Sequence, residues 1–196
     1  MDKVTGHLRL IGSEESAWLG IPAFKDIKEH LQVKLQNLEG SIQPPDDTWE
    51  LIQLLATTPA AVANLMRYYY EPTDEDRLLK RKLPSTFHFN LARSVADSFG
   101  QIIVTTNRDR LIEWGLAKFG ITPQILKPGT ALTKIAPVAQ TKCTLIKLNG
   151  DYLDLEPPPD DCQFRLFLQR EIQQVYLPVR LKCSYSDLQQ LREFNF

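Results

Sequence analysis

Apolar positions recur along this chain in two rhythms, and the points where the rhythm changes mark the elements. His7 to Ile11 (HLRLI) is a short extended run that stops at Gly12. From Phe24 to Leu38 the apolar residues Ile27, Leu31, Leu35 and Leu38 recur at spacings of four and three, which predicts one face of a helix. Gly40 to Asp47, with Pro44 and Pro45, breaks that pattern. Trp49, Ile52 and Leu55, then Val62, Leu65, Met66 and Tyr69, predict two more helices separated by Thr57-Thr58-Pro59. This stretch, about 41–84, reads as a helical insertion, and its end, Glu71 to Lys82, mixes acid and base as a solvated helix face or loop does.

A helix from about Ser85 to Phe99, with Leu91 and Val95 on one face, is expected to end at Gly100. Ile102 to Thr105 is β-branched throughout, as a buried parallel strand should be. Leu111 to Phe119 then predicts a helix ending at Gly120, Gln124 to Leu126 a short strand, and Cys143 to Leu148 (CTLIKL) another strand ending at Asn149-Gly150. Beyond these, Leu155 to Asp161 reads as a stiff loop and Phe164 to Tyr176 as a helix. Val179 to Cys183 reads as a last strand, and Ser186 to Phe196 as a closing helix that Asp187 helps to start. Strands alternating with helices predict an α/β fold, a parallel sheet flanked by helices, in a single domain spanning 1–196.

Composition narrows the function more than the fold. With 43% hydrophobic and 24% charged residues the chain has the make-up of a globular protein. Its formal charge of −1 offers no net field toward a nucleic-acid backbone or an anionic membrane. No apolar run approaches the ~18 residues of a membrane span, and the first residues carry no apolar signal core, so the cytoplasm is the expected compartment. Cys143, Cys162 and Cys183 are odd in number and widely spaced, which fits reduced thiols better than zinc ligands or disulfides.

In an open parallel sheet, ligands bind beyond the carboxyl ends of the strands, which directs attention to the loops after Ile11, Thr105, Leu148 and Cys183. The first, Gly12-Ser13-Glu14-Glu15-Ser16-Ala17-Trp18-Leu19-Gly20-Ile21-Pro22-Ala23-Phe24, has the form of a glycine turn leading to a helix start, a common cradle for pyrophosphate. The same glycines serve equally in ordinary tight turns. The second is Thr105-Thr106-Asn107-Arg108-Asp109-Arg110, and the third Lys147-Leu148-Asn149-Gly150-Asp151-Tyr152-Leu153-Asp154.

These three loops, in this order, resemble those of the sirtuin-like NAD family. The first family loop reads G-A-G-x-S-x-x-x-G-I-P-x-F, and Gly12, Ser16, Gly20, Ile21, Pro22 and Phe24 match it. The second reads T-x-N-x-D, matched by Thr105, Asn107 and Asp109. The stretch Thr86 to Ala92 is similar to the H-x-x-L-A helix that precedes it. Thr105 to Glu113 and Lys147 to Asp154 are similar to the bacterial branch in particular, and the resemblance extends from about Leu8 to Asp154. Cys183 to Asp187, including Ser184, is only loosely similar to the family's G-x-S-x-x-D loop.

The resemblance implies a Rossmann-like fold and a site for NAD or ADP-ribose formed by Gly12, Ser13, Glu14, Ser16, Gly20, Ile21, Pro22, Phe24, Thr105, Thr106, Asp109 and Ser184, without a metal. It implies that Asn107 holds a water or a ribose hydroxyl. A helix-capping role suits Asn107 and Asp109 equally well from their residue types alone. Two departures matter. Asn149 stands where the family has its catalytic histidine, and an amide takes up no proton near neutral pH. Glu14 stands where the phosphate loop has its second glycine, adding bulk and negative charge. His7, His30 and His88 offer no obvious replacement base.

The expectation is therefore a degenerate member, inactive or a weak nucleotide binder, acting as a structural or regulatory partner of another protein or as a homo-oligomer. The alternative is an active NAD-cleaving hydrolase of the bacterial defence type, with Asn107 positioning water. A third possibility is an adaptor that binds no nucleotide, for which Trp18 and Tyr68-Tyr69-Tyr70 are candidate surface aromatics, although such a cluster is more often core.

Overall fold

The structure is a computed structural model that describes residues 8–39, 43–97, 101–128, 130, 136–137 and 140–153. The loop, two helices and strand expected after Asp154, together with Ser184, Cys162 and Cys183, lie outside the described residues. So do His7 and Gly100.

The fold is α/β, with a four-stranded, wholly parallel sheet in the order β1-β2-β4-β3. The strands are β1 (Leu8–Ile11), β2 (Gln101–Thr105), β3 (Gln124–Leu126) and β4 (Cys143–Lys147). Every residue of β2 and β4 is buried, the two-sided burial that the β-branched run Ile102–Thr105 predicts. The chain divides into two compact units.

The first unit holds the described residues of 8–12 and 84–151, and so the whole sheet. Helices α6 (Thr86–Ala96) and α7 (Leu111–Ala117) pack against each other. Leu91, Ala92 and Val95 from α6 and Ile112 and Leu116 from α7 join Ile11, Ile103, Cys143 and Leu145 of the strands in one core. Both helices end slightly earlier than the apolar pattern predicts. The α7 boundary follows from Gly120, whose φ of +68° is a left-handed turn suited to glycine.

The second unit holds 13–83 and 152–153. It takes in α1 (Glu14–Trp18) and α2 (Phe24–Glu39) as well as α3 (Thr48–Leu55), α4 (Pro59–Tyr70) and α5 (Asp74–Leu78) of the predicted insertion. Local chemistry sets their starts. Asp47 accepts the N–H groups of Trp49 and Glu50 at 2.8 and 2.9 Å, and Thr58 accepts that of Ala61 with Pro59 following it. Ile27, Leu31 and Leu35 of α2 are fully or almost fully buried, on the face that their spacing predicts, whereas Leu38, expected on the same face, is exposed in the last turn; α2 packs on α3. Tyr69 and Tyr70 are core, the latter stacked 5.1 Å from Tyr152, whereas Trp18 and Tyr68 are exposed.

The acid-base block between Glu71 and Lys82 is more organised than a solvated face. Asp76 is buried and accepts the N–H and hydroxyl of Thr73 while pairing with Arg81 and Lys82. Its burial opposes ionisation, but the Thr73 donors and Lys82 outweigh that and hold its carboxyl below the usual range.

Candidate functional site

Parallel pairing fixes which residues end together. Ile11 of β1 is level with Thr105 of β2, which is level with Lys147 of β4. The residues just after these three strand ends therefore lie past one carboxyl edge, where ligand sites of open α/β sheets form. Gly12, the Thr106–Arg110 loop and the Leu148–Asp151 turn all fall there.

Thr105 closes the row. Its hydroxyl donates to Ile11 O at 2.9 Å and accepts the Asn107 N–H at 3.1 Å, while its carbonyl accepts the Leu148 N–H at 2.9 Å. Asn107 and Asp109 are both buried. Asp109 Oδ1 accepts the Leu111 N–H at 3.0 Å, so this carboxylate caps the start of α7, the structural role its residue type also allows.

After β4 the chain reverses in a tight turn, with Gly150 N–H donating to Lys147 O at 3.2 Å and Gly150 at φ +75°, where a side chain would be strained. Asn149 is exposed at this turn, and its Nδ2 donates to Thr106 O at 2.9 Å. An amide committed in this way ties the two loops together and supplies no base.

Beneath them lies a charged cluster. Lys147 is completely buried, and its ammonium donates to Asp109 O at 2.6 Å, to Glu113 Oε1 at 2.9 Å and to Asp151 Oδ2 at 2.9 Å. Arg110 Nε meets both oxygens of the same Asp151, at 3.2 and 2.9 Å. Two cations face two carboxylates, so the cluster is formally neutral. Burial nevertheless pushes the Glu113 carboxyl up, against the downward pull of Lys147.

His88 stands apart from this chemistry. It is buried on the first turn of α6, where its Nδ1 accepts the Ser85 N–H at 3.2 Å. Burial lowers its pKa below 6.5, with the Asp109 carboxylate pulling the other way. The imidazole is thus a neutral helix cap. His30 is equally engaged elsewhere, 2.8 Å from the Tyr69 hydroxyl in the second unit.

The stretch after Gly12 belongs to the second unit and differs from a simple glycine turn. A short helix, α1, occupies Glu14–Trp18 ahead of the expected helix at Phe24. Ser13 and Glu14 are exposed, and Glu14 occupies the first turn of α1, where negative charge suits the helix dipole. Ser16 is buried and its carbonyl accepts the N–H groups of Leu19 and Ile21 at 3.2 and 3.0 Å. Gly20 has φ +81°, a conformation that calls for glycine, whereas the nearest atom to a Cβ there, Arg81 Cδ at 3.3 Å, belongs to a flexible side chain able to give way. Ile21 is buried, Pro22 half-buried and Phe24 exposed.

The residues missed by sequence reasoning are those of the buried cluster: Lys147, Glu113, Asp151 and Arg110. One signal was available. Lys147 is the lone charge in the strand Cys143–Lys147, and a charge in a buried strand must find partners. No protein-family model matches the chain, and no curated protein matches it.

Proposed function

We propose that this chain is a sirtuin-like nucleotide-binding domain with an eroded NAD site, a weak binder of NAD or ADP-ribose that serves as a structural or regulatory protein. The observation that carries this reading is Asn149: an amide donating to Thr106 O occupies the position that the resemblance gives to the catalytic base. Thr105, Thr106, Asn107 and Asp109, at the carboxyl end of β2, are the candidates for the site in the first unit. Gly12, Ser13, Glu14, Ser16, Gly20, Ile21, Pro22 and Phe24 are assigned by resemblance only. Glu14 counts against tight binding, because its carboxylate would repel a pyrophosphate. No described helix is long and apolar enough to cross a membrane. This reading assigns the protein to the cytoplasm; the buried thiol of Cys143, whose pKa burial pushes up to about 12, is unreactive. Trp18 and Tyr68, both exposed, are the aromatics such a protein would offer to a partner or a second copy.

Calorimetric titration with NAD and with ADP-ribose, followed by assay of the same samples for free nicotinamide, tests the reading. Weak binding without nicotinamide release is expected. Restoring the family residues with Glu14→Gly and Asn149→His should tighten binding. Absence of binding at millimolar ligand would leave an adaptor that takes no nucleotide.

One observation favours the second reading, an NAD-cleaving hydrolase. Asn107 is buried at the end of β2 with its backbone fixed by Thr105, as a residue that positions a water would need to be. Nicotinamide release that disappears in Asn107→Ala would establish it.

A further inference from the structure

Burying an ammonium is costly unless every donor is satisfied, and an apolar residue of similar volume often gives equal or greater stability. Lys147 lies in a strand whose other four residues, Cys143, Thr144, Leu145 and Ile146, are also buried, and nothing in sheet packing calls for a charge there. Its partners are informative because they are not spread around the core. Two are carbonyls of a single loop, Asp109 O at 2.6 Å and Arg108 O at 3.4 Å. A third is Glu113, on the first turn of the helix that this loop enters, and the fourth is Asp151. Asp151 in turn holds Arg110 of the same loop.

We infer that Lys147 is a positioning residue, which fixes the Thr106–Arg110 loop so that Asn107 and Asp109 stand in their binding arrangement before any ligand arrives. The inference rests on the nucleotide-binding reading for what the loop does, and on the cluster geometry alone for how it is held. A lysine rather than an apolar residue is needed because the loop turns carbonyl oxygens inward, and only a donor can satisfy them. The ammonium gathers these carbonyls while Asn149 takes Thr106 O from the solvent side. Within the loop, the Asn107 N–H to Thr105 Oγ1 and the Leu111 N–H to Asp109 Oδ1 are the bonds that report its conformation. A loop held in this way loses little freedom on binding, so affinity is not spent on ordering it.

Lys147→Met alone leaves two buried carboxylates facing one arginine and is apt to unfold the chain. The variant to use is Lys147→Met with Glu113→Gln, which removes one charge of each sign and leaves the Arg110–Asp151 pair intact. Amide hydrogen exchange is followed at Asn107 and Leu111, with Ile103 and Val104 of β2 as internal reference, and ADP-ribose is titrated by calorimetry. Exchange at Asn107 and Leu111 is expected to quicken about tenfold or more while the β2 amides hold, and the ADP-ribose Kd to rise about tenfold. Unchanged protection at Asn107 and Leu111, or an equal loss at Ile103 and Val104, overturns the inference, because Lys147 would then be inert or a general prop. Loop loosening with an unchanged Kd overturns it too. If the unaltered protein binds neither ADP-ribose nor NAD, the nucleotide reading falls, and the exchange data alone decide whether Lys147 positions the loop.

Discussion

Gly115 of α7 sits directly against His88 of α6: a Cβ at Gly115 would lie 3.0 Å from the His88 Cβ and 3.2 Å from its carbonyl oxygen. Backbone yields less readily than the end of a flexible side chain, so an added methyl forces the helices apart. Gly115→Ala should therefore lose about 1–2 kcal/mol net of the better helix propensity of alanine, and Gly115→Leu more. Urea unfolding checks the order, and an alanine variant as stable as the parent would contradict it.

His88 makes the first unit sensitive to acid. Its pKa in the folded chain lies below 6.5, so the folded state favours the neutral ring. The stability it contributes is present above about pH 6.5 and is lost as the pH falls through the lowered folded value. His88→Gln keeps an acceptor for the Ser85 N–H at the same helix position and removes the titration. The variant should show a smaller loss of urea midpoint than the parent between about pH 7.5 and pH 5. Glu113, whose pKa is raised, contributes stability that is present below its ordinary value and lost as the pH rises, but it does so in both proteins and cancels from the comparison.

Lys80 and Lys82 both adopt positive φ, +55° and +50°, a region that costs residues with a Cβ about 1 kcal/mol or more. They differ in what their side chains do. Lys80 is exposed, whereas Lys82 Nζ donates to Tyr68 O at 2.9 Å and pairs with Asp76 at 3.4 Å. Lys80→Gly should accordingly stabilise the chain by about 0.5–1 kcal/mol, and Lys82→Gly should not, because relief of strain is offset by loss of those contacts. Equal thermal shifts for the two variants would refute this.

Asn149 ties Thr106 O from the solvent side, where water can replace it. Asn149→Ala is expected to cost no more than about 1 kcal/mol, a fall of roughly 2–4 °C in Tm, and Asn149→His, which retains an N–H donor, less than that. A larger drop for histidine than for alanine would mean that the Thr106 bond is not what Asn149 contributes.

The sequence by itself determined the elements whose periodicity is strong. The burial of β2 follows from Ile102–Thr105 being β-branched, and the buried face of α2 from Ile27, Leu31 and Leu35, because side-chain spacing and backbone period are set locally. The loops that should carry a site were legible for the same reason, since strand ends are marked by Gly12, Thr105 and Asn149-Gly150. Relations between residues distant in the chain lay beyond a sequence reading. The strand order that makes Ile11, Thr105 and Lys147 one row depends on pairing across about ninety residues, and no local pattern encodes it. The choice of Asp109 as a helix cap, of His88 as a buried neutral cap and of Lys147 as the tie for a loop thirty-eight residues earlier was likewise made by packing. Burial raises the cost of an unsatisfied charge or carbonyl, and only the tertiary structure brings together the groups that satisfy it.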